Sequence, residues 1–169
     1  MKNLPDAEVL FEQLAEKIKP LITSETALVG IHSGGAWLME RLLPLISPAG
    51  NGLANGILDV SFYRDDYSQR GLHTETRPSQ IPFEGEGRHI ILIDDVFYTG
   101  RTIRAAMNEL FDYGRPASIS LAVLVNRGGR ELPITPQISA YETTLTPDQN
   151  LQLLRHADGH FYLTLEENS

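Results

Sequence analysis

The chain of 169 residues contains no cysteine, which excludes a disulfide, a thiol nucleophile and a zinc–thiolate site. An excess of positive charge is also missing. Fourteen Lys and Arg stand against 22 Asp and Glu, a formal charge of −8, so the surface as a whole is not built to attract a phosphate backbone. Lysine is scarce: Lys2, Lys17 and Lys19 lie in the first nineteen residues, and every later permanent positive charge is an arginine, the better bidentate partner for phosphate. No apolar run approaches the ~20 residues that span a bilayer. The opening "MKNLPDAEVLFEQLAEKIKP" lacks the uninterrupted apolar core of a signal peptide, so a cytoplasmic location and no membrane partner are expected. Hydrophobic residues at 41% and charged ones at 21% are ordinary globular values, without repeats or low-complexity tracts, and one domain over 1–169 is expected.

What is present reads as alternating strands and helices. After Asp6, a plausible N-cap, Leu10, Leu14 and Ile18 recur every four residues until Pro20, predicting an amphipathic helix. "ALVGI" (27–31) is a buried-type strand, followed by the turn His32-Ser33-Gly34-Gly35 and a helix over "AWLMERLLPLI". "ILDVSFY" (57–63) predicts a strand near a sheet edge, and residues 64–88 have no period, which suggests a mobile active-site flap. "HIILID" (89–94) is a continuous apolar strand. From Thr102, the positions Ile103, Ala106, Met107, Leu110 and Phe111 follow helical spacing, with Gly114 expected as a left-handed stop, and "SISLAVLV" (118–125) is the next strand. Two wholly apolar strands around one helix make a βαβ unit, so the fold class is α/β with a mainly parallel central sheet flanked by helices. "HFYLTLEE" (160–167) predicts one more strand, while 139–159 carries no clear period.

Ligands of such sheets bind beyond the carboxyl ends of the strands. Three segments converge there: Ser33 to Gly35, Asp94 to Thr102, and Asn126 to Arg130. Tyr98-Thr99-Gly100-Arg101-Thr102 leads into a helix, so its N–H groups, two hydroxyls and the positive end of the helix dipole suit a phosphate monoester. No Walker loop is present. Asp94 and Asp95 would repel that phosphate unless they face vicinal hydroxyls or a divalent metal, and a ribose flanked by phosphates offers both. Two rival readings are an acid pair that caps the turn and a receiver-type phospho-acceptor site; the second leaves Thr-Gly-x-Thr unexplained.

Four apolar residues, two acids, an apolar residue and then Thr-Gly-x-Thr (Ile90 to Thr102) resemble the phosphoribosyl-pyrophosphate (PRPP) signature of type I phosphoribosyltransferases. "FYRDD" (62–66), "DDVFYTGRTIRAAMNEL" (94–110), "YGRPASISLAVLVNRGGRELPI" (113–134) and "FYLTLEEN" are similar to the PyrR family of pyrimidine-operon attenuators with uracil phosphoribosyltransferase activity. The resemblance covers nearly the whole chain, most weakly in the first 26 residues and in 135–157.

The resemblance implies a phosphoribosyltransferase fold with a small hood and a flap that carries Arg64, Asp65 and Asp66. It puts the ribose hydroxyls on Asp94 and Asp95 as catalytic residues, and the 5′-phosphate in Tyr98, Thr99, Gly100, Arg101 and Thr102. Pyrophosphate would lie against Ser33, Gly34 and Gly35, and the base near Asn126, Arg127 and Gly128. Mg²⁺ would be held mainly by PRPP, with Asp94 or Asp95 as its protein ligand. The implied reaction joins uracil to PRPP, giving UMP and diphosphate, in a homodimer or homotetramer that also binds a leader mRNA in a UMP-dependent way. The alternative it leaves open is a regulatory RNA-binding or nucleotide-sensing protein with weak or vestigial transfer. The chain departs from the family at Gly34, where an arginine usually stands, at Asn126 in place of Asp, at Gly129 in place of His and at Thr135 in place of Arg. Its first helix is acidic, with Glu8, Glu12 and Glu16.

Overall fold

The computed structural model describes residues 3–47, 52–60 and 79–168. The first helix, α1 (Ala7–Ile18), starts where the sequence places its cap, with the Asp6 carboxylate accepting the Glu8 N–H at 2.8 Å. Strand β1 (Thr26–Ile31) is buried along its whole length, as a parallel strand covered on both faces must be. Helix α2 (Gly34–Ile46) begins two residues earlier than its apolar spacing suggests. Strand β2 (Ala54–Leu58) differs more from expectation. It runs through "ANGIL", because pairing with β1 from Ala27↔Ala54 to Ile31↔Leu58 overrides the turn preference of Asn-Gly.

Strand β3 (His89–Phe97) runs three residues past its apolar stretch and contains both acids. It is followed by α3 (Arg101–Leu110) and β4 (Ser118–Asn126), the anticipated βαβ unit. Gly114 ends the connection at φ 127°, ψ 177°, which is not the expected left-handed stop; a 3-10 turn, Phe111–Tyr113, closes the helix instead. Strands β5 (Ile138–Glu142) and β6 (Gln149–Arg155) arise from the stretch without a clear period, and β7 (Phe161–Glu167) matches the last predicted strand.

The sheet order is β2-β1-β3-β4-β5, parallel throughout, and β6 and β7 form a separate antiparallel hairpin that provides the expected hood. Alternate residues of the sheet feed two cores. Leu28, Ile91, Ile93 and Leu124 pack with α1, α2 and the hairpin's Leu151, Leu153 and Phe161. Val29, Leu92, Leu121 and Val123 pack with Ile103, Ala106 and Leu110 of α3. Each fully buried Leu, Ile or Phe contributes about 1.5–3 kcal/mol of transfer free energy, so both faces hold the strand ends in place. The predicted flap residues Arg64, Asp65 and Asp66 lie outside the described residues.

Candidate active site

The carboxyl end of β3 opens into a cavity of about 830 Å³. Its floor is the chain from Asp94 to Ile103, one side is Ser33 and Trp37 at the start of α2, and the other is Arg127 and Glu131 after β4. Asn150 to Leu154 of β6 form the remaining wall. Asp94 is 4% exposed and Asp95 is half-buried, yet both line this one space. Successive strand residues normally face opposite ways. Here each carboxylate turns along the chain to accept the next backbone N–H, Asp95 N to Asp94 Oδ1 at 2.9 Å and Val96 N to Asp95 Oδ1 at 2.8 Å.

The turn between β3 and α3 has the features expected of an anion cradle. Gly100 is the N-cap at φ 97°, in the left-handed region that disfavours a side chain, so the N-cap residue itself supplies no capping side chain. The Arg101 N–H donates to Thr99 Oγ1 at 3.2 Å, and the Arg104 N–H to the Gly100 carbonyl at 2.9 Å. Thr102 and Ile103, whose N–H groups have no acceptor four residues back within the helix, both line the cavity. The turn is braced from outside by Glu131, whose N–H donates to the Thr99 carbonyl at 2.9 Å. Arg101 Nε lies 3.6 Å from Glu131 Oε2, both side chains about half exposed (49% and 48%), so the ion pair adds little energy and leaves Arg101 free to swing.

Gly34 and Gly35 stand behind the acids rather than in the cavity lining. A Cβ on Gly34 would overlap the Asp95 carboxylate, with Asp95 Cγ at 2.6 Å, and one on Gly35 would strike the Ile93 carbonyl. Ser33, the N-cap of α2, makes no capping bond with its hydroxyl and does line the cavity. The His32–Ser33 peptide is cis.

At the end of β4 and just past it, Asn126 and Gly128 do not line the cavity. The Asn126 Oδ1 accepts the Gly128 N–H at 3.2 Å, and its carbonyl accepts the Thr143 N–H at 2.9 Å. Arg127 reaches the cavity but is 3% exposed, and both its terminal nitrogens are engaged by backbone carbonyls. Burial lowers its pKa, and the neighbouring Tyr98 works in the opposite direction. Sequence reasoning missed Trp37, Glu131, Asn150 and Gln152 as lining residues. The polar–apolar alternation of "QNLQLLR" was the available signal for β6.

The phosphoribosyl transferase domain matches residues 2–149. The bifunctional protein PyrR of Pseudomonas syringae pv. syringae is 46% identical over 155 residues, covering 89% of each chain. The chain belongs to the phosphoribosyltransferase family. PyrR of Nitrosococcus oceani is likewise 46% identical, over 156 residues, covering 86% of this chain and 84% of its own. Among solved structures, hypoxanthine phosphoribosyltransferase from Staphylococcus aureus shares the fold, with a TM-score of 0.61 at 20% identity over 86% of this chain and 76% of that one. A variant of the enzyme from Trypanosoma cruzi in a ternary substrates complex does so with a TM-score of 0.63 at 18% identity, covering 83% and 80%. The protein is thus a phosphoribosyltransferase whose curated relatives are PyrR proteins.

Proposed function

We propose that the chain transfers the ribose 5-phosphate of PRPP to uracil, giving UMP and diphosphate. The observation that carries this reading is that Asp94, Asp95 and the turn Tyr98 to Thr102 line one cavity, which suits a sugar whose hydroxyls meet the acids and whose phosphate meets the turn. The Asp94 and Asp95 carboxylates accept the 2′- and 3′-hydroxyls. The N–H groups of the first turn of α3 and the hydroxyls of Thr99 and Thr102 hold the 5′-phosphate. Ser33 meets the diphosphate, with Gly34 and Gly35 behind the acids, and the base lies against the β6 wall, in the part of the cavity that Arg127 braces.

Displacement at C1 develops positive charge on the sugar, so the residues contribute by positioning and by fixed negative potential, with no covalent step. The family generally uses Mg²⁺ with PRPP. Two neighbouring carboxylates suit an ion that takes one or two protein oxygens and completes its shell from phosphates and water, and among the described residues no three metal-ligating side chains gather into a cage. Asp94 or Asp95 would hold it, and when bound it neutralises the departing diphosphate.

The test is UMP formation from uracil, PRPP and Mg²⁺, with orotate and purines in parallel. Asp95→Asn is expected to lower the rate by on the order of 10²-fold, and no UMP above a protein-free control would sink the reading. A second reading is favoured by the Asp95 carboxylate filling the space in front of Gly34, where the family usually carries an arginine for diphosphate. In it, turnover is slow and the site regulates binding of a pyrimidine leader mRNA by a cytoplasmic dimer or tetramer. A gel shift of that RNA, stronger with UMP and weaker with salt, is expected; unchanged mobility at low salt would exclude it.

A further inference from the structure

Arg127 is a buried cation that joins three parts of the site. Its Nη1 donates to the Gln149 carbonyl at 2.8 Å and its Nη2 to the Thr146 carbonyl at 2.9 Å, both in the chain that leads into β6. That turn is itself closed by the Gln149 side chain, which accepts the Thr146 N–H at 3.1 Å. The guanidinium lies 3.9 Å from the centre of the Tyr98 ring, the first residue of the phosphate turn. On the main chain, the Arg127 N–H donates to the Phe97 carbonyl and its own carbonyl accepts the Leu145 N–H, each at 3.1 Å. The Tyr98 ring is tightly seated, since a Cβ on Gly129 would come within 2.7 Å of its Cε1. Nε is buried without an acceptor.

A core built for stability alone would be served as well by an apolar side chain, because desolvating a guanidinium is costly and an unpaired buried N–H adds to that cost. What an apolar side chain cannot do is grip two carbonyls in one plane while its face lies on an aromatic ring. The two groups so joined adjoin different sides of the cavity, its floor at the phosphate turn and its wall at β6, which Gln149 begins.

We propose that Arg127 is a positioning residue that acts through Tyr98: it fixes the separation between the phosphate turn and the β6 wall. A ligand that reaches from one to the other, a nucleoside 5′-monophosphate, therefore binds more tightly than its ribose 5-phosphate half by an amount that depends on Arg127. This rests on the nucleotide reading of the site given above. Preorganisation of this kind is felt by the ligand that engages both walls and hardly by one that engages a single wall.

The experiment is calorimetric titration of ribose 5-phosphate and of UMP into the whole chain carrying Arg127→Met or Arg127→Lys, each alone and combined with Tyr98→Leu or Tyr98→Phe. Arg127→Met is expected to weaken UMP by on the order of tenfold and ribose 5-phosphate by less than about threefold. The same loss is expected in the Tyr98→Phe background, which keeps the ring, and no further loss in the Tyr98→Leu background, which removes it. Arg127→Lys keeps the charge but not the planar stack, and is expected to follow Arg127→Met; with circular dichroism as a check of folding, it decides the matter if the methionine variant does not fold. Equal losses for the two ligands would show that the span plays no part, and a further tenfold loss on top of Tyr98→Leu would show that Arg127 does not act through Tyr98; either result would overturn the inference alone. Failure of the unaltered chain to bind either ligand would overturn the nucleotide reading and the inference together.

Discussion

At the scale of single residues, the informative pair is Gly34 and Asp95. The sequence shows a glycine where the family resemblance leads one to expect an arginine. The structure adds that the vacated side is filled by the Asp95 carboxylate. Restoring a side chain at 34 therefore displaces the Asp95 carboxylate as well as adding bulk. Gly34→Ala is expected to destabilise the fold by about 1–3 kcal/mol, the usual cost of forcing atoms into a packed place, and to weaken PRPP binding. Combining it with Asp95→Ala removes the carboxylate and leaves only a Cβ approach of 2.9 Å, so the stability loss of the double variant should fall below the sum of the singles; strict additivity in urea unfolding would show that the two do not share the space.

At the scale of elements, α1, α2 and β7 meet around Arg41. Its guanidinium lies 4.4 Å from the ring centres of both Phe11 and Phe161, and its Nη1 is 2.8 Å from Glu8 Oε1. The same oxygen accepts the Phe161 N–H at 3.1 Å, and His160 Nδ1 lies 3.4 Å away. Burial pushes the Glu8 carboxyl up, but the Arg41 and Phe161 hydrogen bonds and the nearby positive charges outweigh it, and the net shift is down. A carboxyl lowered by folding stabilises the protein above its unfolded value of about 4.3 and loses that contribution as pH falls through the lower folded value. The melting temperature of Glu8→Gln should accordingly match the acid limb of the unaltered chain more closely at about pH 3 than at pH 7; a constant gap between the two would refute the linkage.

Elements also differ in how far the sequence announces them. The β3, α3 and β4 stretches were legible because a strand covered on both faces is apolar throughout and α3 buries one clean stripe. Strand β5 buries Ile138 and leaves its other residues at least partly exposed, and β6 buries only Leu151 and Leu153 between polar neighbours, so neither has a continuous apolar run to detect. The acid pair and the phosphate turn were legible as a local pattern. The β6 wall was not, since it belongs to the cavity only through long-range packing across the sheet end.

At the scale of the whole molecule, the hairpin shares a core with α1, α2 and one face of the sheet. Phe161→Ala is expected to cost about 3–5 kcal/mol, and to lower the stability of the entire chain rather than to free the hairpin. Trp37, the one tryptophan, lies with its ring 4.5 Å from the Arg155 guanidinium of β6, so its fluorescence reports hairpin docking while far-ultraviolet circular dichroism reports the sheet and helices. The two signals should melt together; a fluorescence transition at lower temperature would mean that the hairpin detaches independently.

The cavity draws its walls from Ser33 near one end of the chain to Leu154 near the other. During synthesis, then, a ribosome must deliver β6 before the last wall exists. On the proposed reading, the partners of a ribose 5-phosphate lie in segments up to α3 whereas those of a complete nucleotide include the hairpin, so that nucleotide affinity would mark a finished molecule in a way that sugar phosphate affinity would not.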